Sequence, residues 1–338
     1  MTSNVALLLV QDGLTSGFIY ALLTLAILLV FLVTRVLWIP AGDFLVMGAL
    51  SMAMLRQGEV PGTVWIALGL GILAAVVELG RRRWRAALGC LAPPLLVVPT
   101  ILLLAPLRLP ASVLIALVLA LVAPMGFSVY RLAFRPIAGR SVLILLFMAV
   151  AVHDALMGFG QIAFGSESFR TRPFLPGRLD VGVTRLSFQF LLIVAVSVVL
   201  MLGLWLFTQR TLSGRALRAT AVNRVGARLV GVRTEAAGAL AFVLAAGIGA
   251  LSGVLIGPVT ALYYDSGFGL GVKGFIGTVV GGMVSFPLSL LGAMLVGLVE
   301  TFSSYYASAF KEVLVYSLLI PFLLWRSATS RVIEDAAP

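Results

Sequence analysis

His153 and Asp154 stand side by side in an otherwise apolar run, and His153 is the only histidine of the 338-residue chain. An ionisable pair inside a membrane span is a functional candidate by default, because a charged side chain near the bilayer centre costs about 2.5–3.5 kcal/mol on insertion scales. Both lie about 12 positions into a span that starts near residue 141, close to mid-membrane, and one residue step turns them about 100° apart on a helix. The chemistry open to them is a proton relay, a polar lining for a conduit, or a hydrogen bond to a neighbouring helix. Lys273 and Glu300 are the other charges in apolar surroundings. Lys273 follows a broken, Gly-rich entry after Tyr263-Tyr264-Asp265, so its ammonium either snorkels to the interface or pairs with Glu300. Glu300, Ser303 and Ser304 fall at i, i+3 and i+4, on one helical face that would line a conduit or meet Lys273.

These residues do not add up to an enzyme. There is one histidine, no His-Glu-x-x-His, and no nucleophile beside a base, and no metal site is expected. No Gly-x-x-x-x-Gly-Lys-Ser/Thr loop is present, so the chain is not expected to bind ATP by that route. The single Cys90 cannot form an intrachain disulfide and reads as packing.

The elements that carry these side chains are membrane helices. The chain is 61% hydrophobic and 11% charged, against about 25% charged in a soluble domain. Long apolar runs without alternation exclude a barrel and leave helices as the way to satisfy every backbone amide in lipid. Spans are expected near 13–34, 40–56, 63–80, 86–106, 111–131, 141–163, 187–208, 235–260, a short pair at 268–283 and 286–306, and 311–326. The reading is an all-α integral membrane protein, a polytopic bundle of about 10–11 transmembrane helices, some short or broken. Gly281-Gly282 and Pro287 argue for a break inside the short pair. Met1 to Asp12 has no basic residue before its apolar stretch and does not read as a secretory signal. Gly165 to Leu186 reads as a structured external loop.

A formal charge of +11 arises from basic residues that are arginine in all but two cases. They cluster in loops without interleaved aromatics, which points to membrane topology and away from nucleic acid. Placing residues 213–233 in the cytoplasm puts sixteen arginines on that side and six outside, at Arg56, Arg108, Arg170, Arg172, Arg178 and Arg185; Arg326 and Arg331 count inside. This predicts an external N-terminus, a cytoplasmic C-terminus and an odd number of crossings.

Residues 213–233 are too polar to cross and too patterned to be a mere connector. Arg215, Arg218, Arg224, Arg228 and Arg233 recur at intervals of three to six, with small surfaces at Ala219, Ala227 and Gly231. A short helix with small residues and a cationic rim suits a groove in a partner protein; a solvated positive-inside loop is the plainer alternative.

The run Ser-Gly-Arg-Ala-Leu-Arg-Ala-Thr-Ala from Ser213, followed by Ala227-Arg228-Leu229-Val230-Gly231-Val232, resembles the coupling segment of the permease subunits of branched-chain amino acid ABC transporters, the H-type subunit in particular. Further likenesses follow in order. They are Gly17-Phe18-Ile19-Tyr20-Ala21-Leu22, the turn Ile39-Pro40-Ala41-Gly42-Asp43, Phe134-Arg135-Pro136, Gly249 to Leu255, Gly271-Val272-Lys273-Gly274-Phe275, Val280-Gly281-Gly282 and Gly297 to Ser304.

The resemblance implies a permease subunit, a single transmembrane domain over 1–338 with a coupling segment at 209–234, in a bacterial plasma (inner) membrane. It implies two cytosolic ABC ATPase subunits holding ATP and Mg²⁺, a second, M-type permease, and a periplasmic or surface substrate-binding protein, with membrane lipid around the whole. The implied ATPase-coupling residues are Gly214, Arg215, Arg218, Ala219, Ala221, Asn223, Ala227, Leu229 and Gly231. Candidates for the translocation path are Gly42, Asp43, His153, Asp154, Lys273, Glu300, Ser303 and Ser304. Cargo is a branched-chain or other small amino acid, with urea or short amides as the alternative. A proton-coupled carrier using His153-Asp154 is the competing class.

The chain departs from the family pattern in four places. Val222-Asn223-Arg224 stands where acidic residues are usual, the turn histidine is replaced around Pro40-Ala41, residues 81–112 read as a helical insertion, and Met148 to Asp154 replaces a stretch of small and hydroxyl residues.

Overall fold

The computed structural model describes residues 3–107, 109–181 and 184–329; Arg108 and Arg331 lie outside them, as do the side chains of Arg185 and Arg326. Helices occupy the positions the apolar runs dictate. They are α1 (Ser3–Thr34), α2 (Ala41–Gln57), α3 (Thr63–Gly80), α4 (Trp84–Leu104), α5 (Ala111–Val129) with a π turn at Tyr130–Phe134, and α6 (Val142–Phe164). After a hairpin of β1 (Arg178–Val181) and β2 (Thr184–Ser187) come α7 (Phe188–Arg210), α8 (Leu212–Val222), α9 (Arg224–Leu229), α10 (Thr234–Ile256), α11 (Gly267–Val280) and α12 (Phe286–Tyr306). A 3₁₀ turn at Ser308–Phe310 leads into α13 (Lys311–Ser317) and α14 (Leu319–Thr329).

Among the described residues, nine helical segments are long and apolar enough to cross a membrane. One apolar helix is shorter, α11 with 14 residues, and α2, which includes Asp43, Arg56 and Gln57, has 17. At 1.5 Å per residue they reach about 21 and 25 Å, less than a hydrocarbon core of about 30 Å. The nine long segments and α11 make ten among the described residues, in line with the expected bundle of about 10–11 helices, some of them short. The break between α11 and α12 falls where glycine and proline place it: Gly282 and Met283 take left-handed backbone (φ 72° and 58°), and Pro287 opens α12.

The centre of the bundle is α1, α2, α5 and α10, with α11 and α12 packed along α1. The link between α1 and α2 carries Trp38, fully buried among Phe44, Phe134 and Phe242 with ring centroids 5.5, 5.8 and 4.6 Å away. Those offset and edge-on contacts tie the α1–α2 link to α5 and α10. Helices α4, α6 and α7 form the periphery, and Leu96, Leu103, Ile162 and Val199 are each more than two-thirds exposed. Such apolar outward faces are what hydrocarbon covers.

The two ends of the bundle differ in chemistry. At one end Arg82, Arg83, Arg85, Arg131, Arg135, Arg228 and Arg233 gather around two adjoining grooves. At the other, Arg56 donates to the Arg172 carbonyl at 2.5 Å and stacks over Phe174 at 4.2 Å, while Arg170 donates to the carbonyls of Pro258 and Val259. A bridge between Phe169 and Leu262 and the β1–β2 hairpin give this segment fixed structure, as its composition predicts.

Candidate functional site

Three polar constellations stand out from the apolar bundle. The first forms where α2 and α11 begin. A Cβ placed on Gly42 would stand 1.8 Å from the Gly267 carbonyl oxygen, and one on Gly267 would stand 2.6 Å from Asp43 Oδ1. Glycine at both positions is what lets the two backbones approach so closely.

Asp43, in the first turn of α2 and 4% exposed, carries its carboxylate into this junction. Free N–H groups at a helix start favour negative charge there. His153 reaches it from α6, its Nδ1 lying 2.9 and 2.8 Å from the two carboxylate oxygens. With a carboxylate as acceptor, Nδ1–H is the donor. Phe268 lies against the imidazole at 5.2 Å and also borders an apolar cavity of about 260 Å³ lined by Ile27, Trp38, Ile39 and Leu146.

The adjacent His153-Asp154 pair of the sequence therefore separates in space. His153 is 5% exposed and points into the bundle, whereas Asp154 is exposed on the outer side of α6. The partner of His153 is a carboxylate 110 positions earlier, not its neighbour.

The second constellation lies on α11 beyond the first. Lys273 Nζ is 2.6 Å from Glu300 Oε1 and 3.3 Å from Glu312 Oε1, and Lys311 Nζ is 3.5 Å from each glutamate. Tyr20 donates its hydroxyl to Glu300 Oε2 at 2.5 Å from α1. The chain's two lysines thus meet two glutamates, and the cluster has no net formal charge. Pairing, not snorkelling, settles Lys273. The parts Tyr20, Lys311 and Glu312 play here are not legible in the sequence, because their contacts cross between helices with no periodic signal. The face assigned to Glu300, Ser303 and Ser304 divides: Ser303 is buried and Ser304 is exposed.

The third constellation is the segment between α7 and α10. One helix was expected; the structure has two, because Asn223 adopts extended backbone (φ −150°, ψ 105°) and its side chain accepts from the Gly226 N–H at 2.8 Å, capping α9. Thr211 caps α8 through the Gly214 N–H. Gly214 is buried against the end of α7, where a Cβ would stand 2.0 Å from the Phe207 carbonyl oxygen. Ala227 is buried, Ala219 and Ala221 are half-buried, and Gly231 ends the segment in left-handed backbone (φ 84°). Arg215 and Arg218 are exposed, and Arg218 donates to Gln209 Oε1 at 2.7 Å. Val222, Val225, Leu229 and Val230 are 81, 68, 84 and 78% exposed, an uncovered apolar edge beside a cationic rim.

One further charge centre was missed. Glu78, fully buried on α3, accepts from Arg135 at 2.7 Å with Arg81 and Arg131 at 3.8 Å, and Arg135 also holds Glu235 of α10 at 3.0 Å. The signal available was a lone glutamate at the end of an apolar run, just ahead of an arginine cluster.

A sequence model described as branched-chain amino acid transport system / permease component matches residues 87–324. The chain belongs to this family. It is 33% identical over 208 residues to the high-affinity branched-chain amino acid transport system permease protein BraD of Pseudomonas aeruginosa, covering 60% of this chain and 68% of that protein. It is 32% identical over 206 residues to the corresponding protein LivH of Escherichia coli K12, covering 59% and 67%. A probable branched-chain amino acid transport permease protein LivH of Methanocaldococcus jannaschii is 28% identical over 203 residues, covering 57% and 64%. The chain is thus a transport component of the membrane, and its polar contacts are to be understood as parts of a permease.

Proposed function

We propose that this permease is the H-type half of an ATP-driven importer for branched-chain or other small amino acids. The observation that carries the reading is the uncovered apolar edge of α8 and α9 set among arginines, between two helices of bilayer length. Such an edge has no role in water and suits a groove of a partner protein. Residues 209–234 couple to one of two cytosolic ABC ATPase subunits, which hold ATP and Mg²⁺ and carry out hydrolysis. An M-type permease completes the pore, and a binding protein delivers cargo at the end formed by the β hairpin. The arginine-rich end is cytoplasmic, the N-terminus is outside, and residues 81–112 add a helical arm to a single permease domain in a bacterial plasma membrane. Gly42, Asp43, His153 and the Lys273 cluster belong to the moving walls of the path, where the short helices α2 and α11 meet.

Proteoliposomes containing this chain with an M-type permease, ABC ATPases and a binding protein from the same organism provide the test. Leucine uptake should require ATP and the binding protein and continue when the proton gradient is collapsed. Uptake that stops with the gradient while ATP is maintained would make the protein a proton-coupled carrier instead.

A further inference from the structure

The arginine-rich end holds more positive charge than its acids neutralise, and that charge is organised. A groove of about 490 Å³ is walled by Arg82 and Arg83 from the α3–α4 turn and Arg85 from the start of α4 on one side, and by Arg131 and Arg135 on the other. A second, of about 600 Å³, continues from Arg131 to Arg228 and Arg233, and Glu235 borders both. The two carboxylates present, Glu78 and Glu235, are both engaged by Arg135. Among the described residues, Arg82, Arg83, Arg85, Arg228 and Arg233 have no carboxylate partner.

Arg131 stands where the grooves join. Its guanidinium lies over Phe127 at 5.0 Å and its Nε is buried without a hydrogen-bond partner. Arg82 holds left-handed backbone (φ 56°) at the end of α3, a place that glycine fills at lower cost. Guanidinium forks arranged around a gap suit phosphate oxygens, which accept several N–H donors at once.

What lies beside the grooves narrows the source of that phosphate. Val76, Leu79, Trp84 and Leu88, on α3 and α4 within about two turns of the arginines, are 62, 57, 59 and 55% exposed. Trp84 stacks under Arg85 at 5.2 Å, as an interfacial indole does. One molecule with an anionic phosphate and acyl chains meets both surfaces. We propose that the two grooves form a headgroup site for an anionic phospholipid whose chains lie along the outer face of the α3–α4 hairpin. The site is independent of the importer reading, since it needs no ATPase and no cargo.

Native mass spectrometry of the purified full-length protein with phosphatidylglycerol and with phosphatidylcholine of the same chains tests this. Phosphatidylglycerol should be retained about ten-fold more. That preference should vanish in R82Q/R83Q/R85Q, a variant of exposed residues whose monodispersity is checked alongside, and persist in R210Q/R215Q/R218Q, which removes equal charge elsewhere. Loss of preference in both variants means diffuse attraction and overturns the site. So does an unchanged preference in R82Q/R83Q/R85Q. Displacement of the lipid by inorganic phosphate would make it a soluble-anion site and overturn the assignment to lipid.

Discussion

His153 Nδ1 and Asp43 Oδ2 are 2.8 Å apart, and this contact joins a peripheral helix to the start of α2. Among the described residues it is the one side-chain hydrogen bond that α6 makes to another element. Removing one partner from a buried pair leaves the other group without compensation, at about 3–5 kcal/mol. His153→Ala is therefore expected to lower the thermal midpoint in detergent clearly and to reduce uptake. Asp43→Asn, which leaves a neutral acceptor for the imidazole, should do less harm. An unchanged midpoint in His153→Ala would deny the contact any structural weight, and full uptake would remove His153 from the path.

Asp154 supplies the contrast. It is exposed on α6 and, among the described residues, makes no side-chain hydrogen bond or salt bridge, so Asp154→Asn should leave the unfolding free energy within about 0.5 kcal/mol of the parent. A large loss of stability would show that α6 packs against another subunit through this residue.

The Lys273–Glu300 pair looks suited to a charge exchange, but its surroundings defeat that test. Lys273→Glu combined with Glu300→Lys would set a carboxylate beside Glu312 and an ammonium beside Lys311, replacing attractions at 3.3 and 3.5 Å by repulsions. The exchange should therefore fail although the pairing is real. A double-mutant cycle with Lys273→Met and Glu300→Gln should instead give a coupling of about 1–3 kcal/mol in thermal or chemical unfolding. Coupling near zero would mean that Tyr20 and Lys311 alone hold Glu300.

Close backbone contact gives the third pair of outcomes. Gly42→Ala pushes a methyl into the Gly267 carbonyl, where neighbouring backbone has to move, and should cost about 1–3 kcal/mol or more. Gly69→Ala on α3 meets nothing within 4 Å and should show no loss. Expression level and thermal midpoint of the two variants, measured side by side, check this; equal behaviour would mean that α2 and α11 separate freely.

The apolar runs made the helices legible, and Gly281-Gly282 with Pro287 located the break, because both signals are local. The site was legible only in part. Lys273 and Glu300 are 27 positions apart on successive helices, close enough for helical phase to suggest a meeting. Asp43 and His153 are on helices that are not consecutive, and nothing in a single sequence reports which side of α6 faces α2. Glu78 was passed over for the same reason: its partner Arg135 lies 57 positions on, and the second carboxylate that Arg135 holds, Glu235, lies a further 100. Asn223 stood in a helical pattern, and its capping role depends on a backbone turn that periodicity alone does not reveal.

That capping turn sets the geometry of the α8–α9 segment, proposed above to couple to the ATPases, and yields the last prediction. Asn223 separates α8 from α9 and so presents Val225, Leu229 and Val230 on an exposed edge. Asn223→Ala removes the cap, worth about 1 kcal/mol, and should loosen α9 without disturbing the membrane helices, which make their own contacts. Val225→Asp with Leu229→Asp alters only exposed positions and should leave the thermal midpoint unchanged. Both variants should weaken co-purification of the ATPase subunits and the stimulation of ATP hydrolysis by loaded binding protein, with the aspartate pair the more severe because it places charge where apolar surface meets the partner. Gly214→Val should uncouple by a different route, since its side chain meets the Phe207 carbonyl and tilts α8 away from α7. Normal ATPase association in the aspartate variant would mean that the apolar edge is not the contact surface, and the reading of α8 and α9 as the coupling element would fall with it.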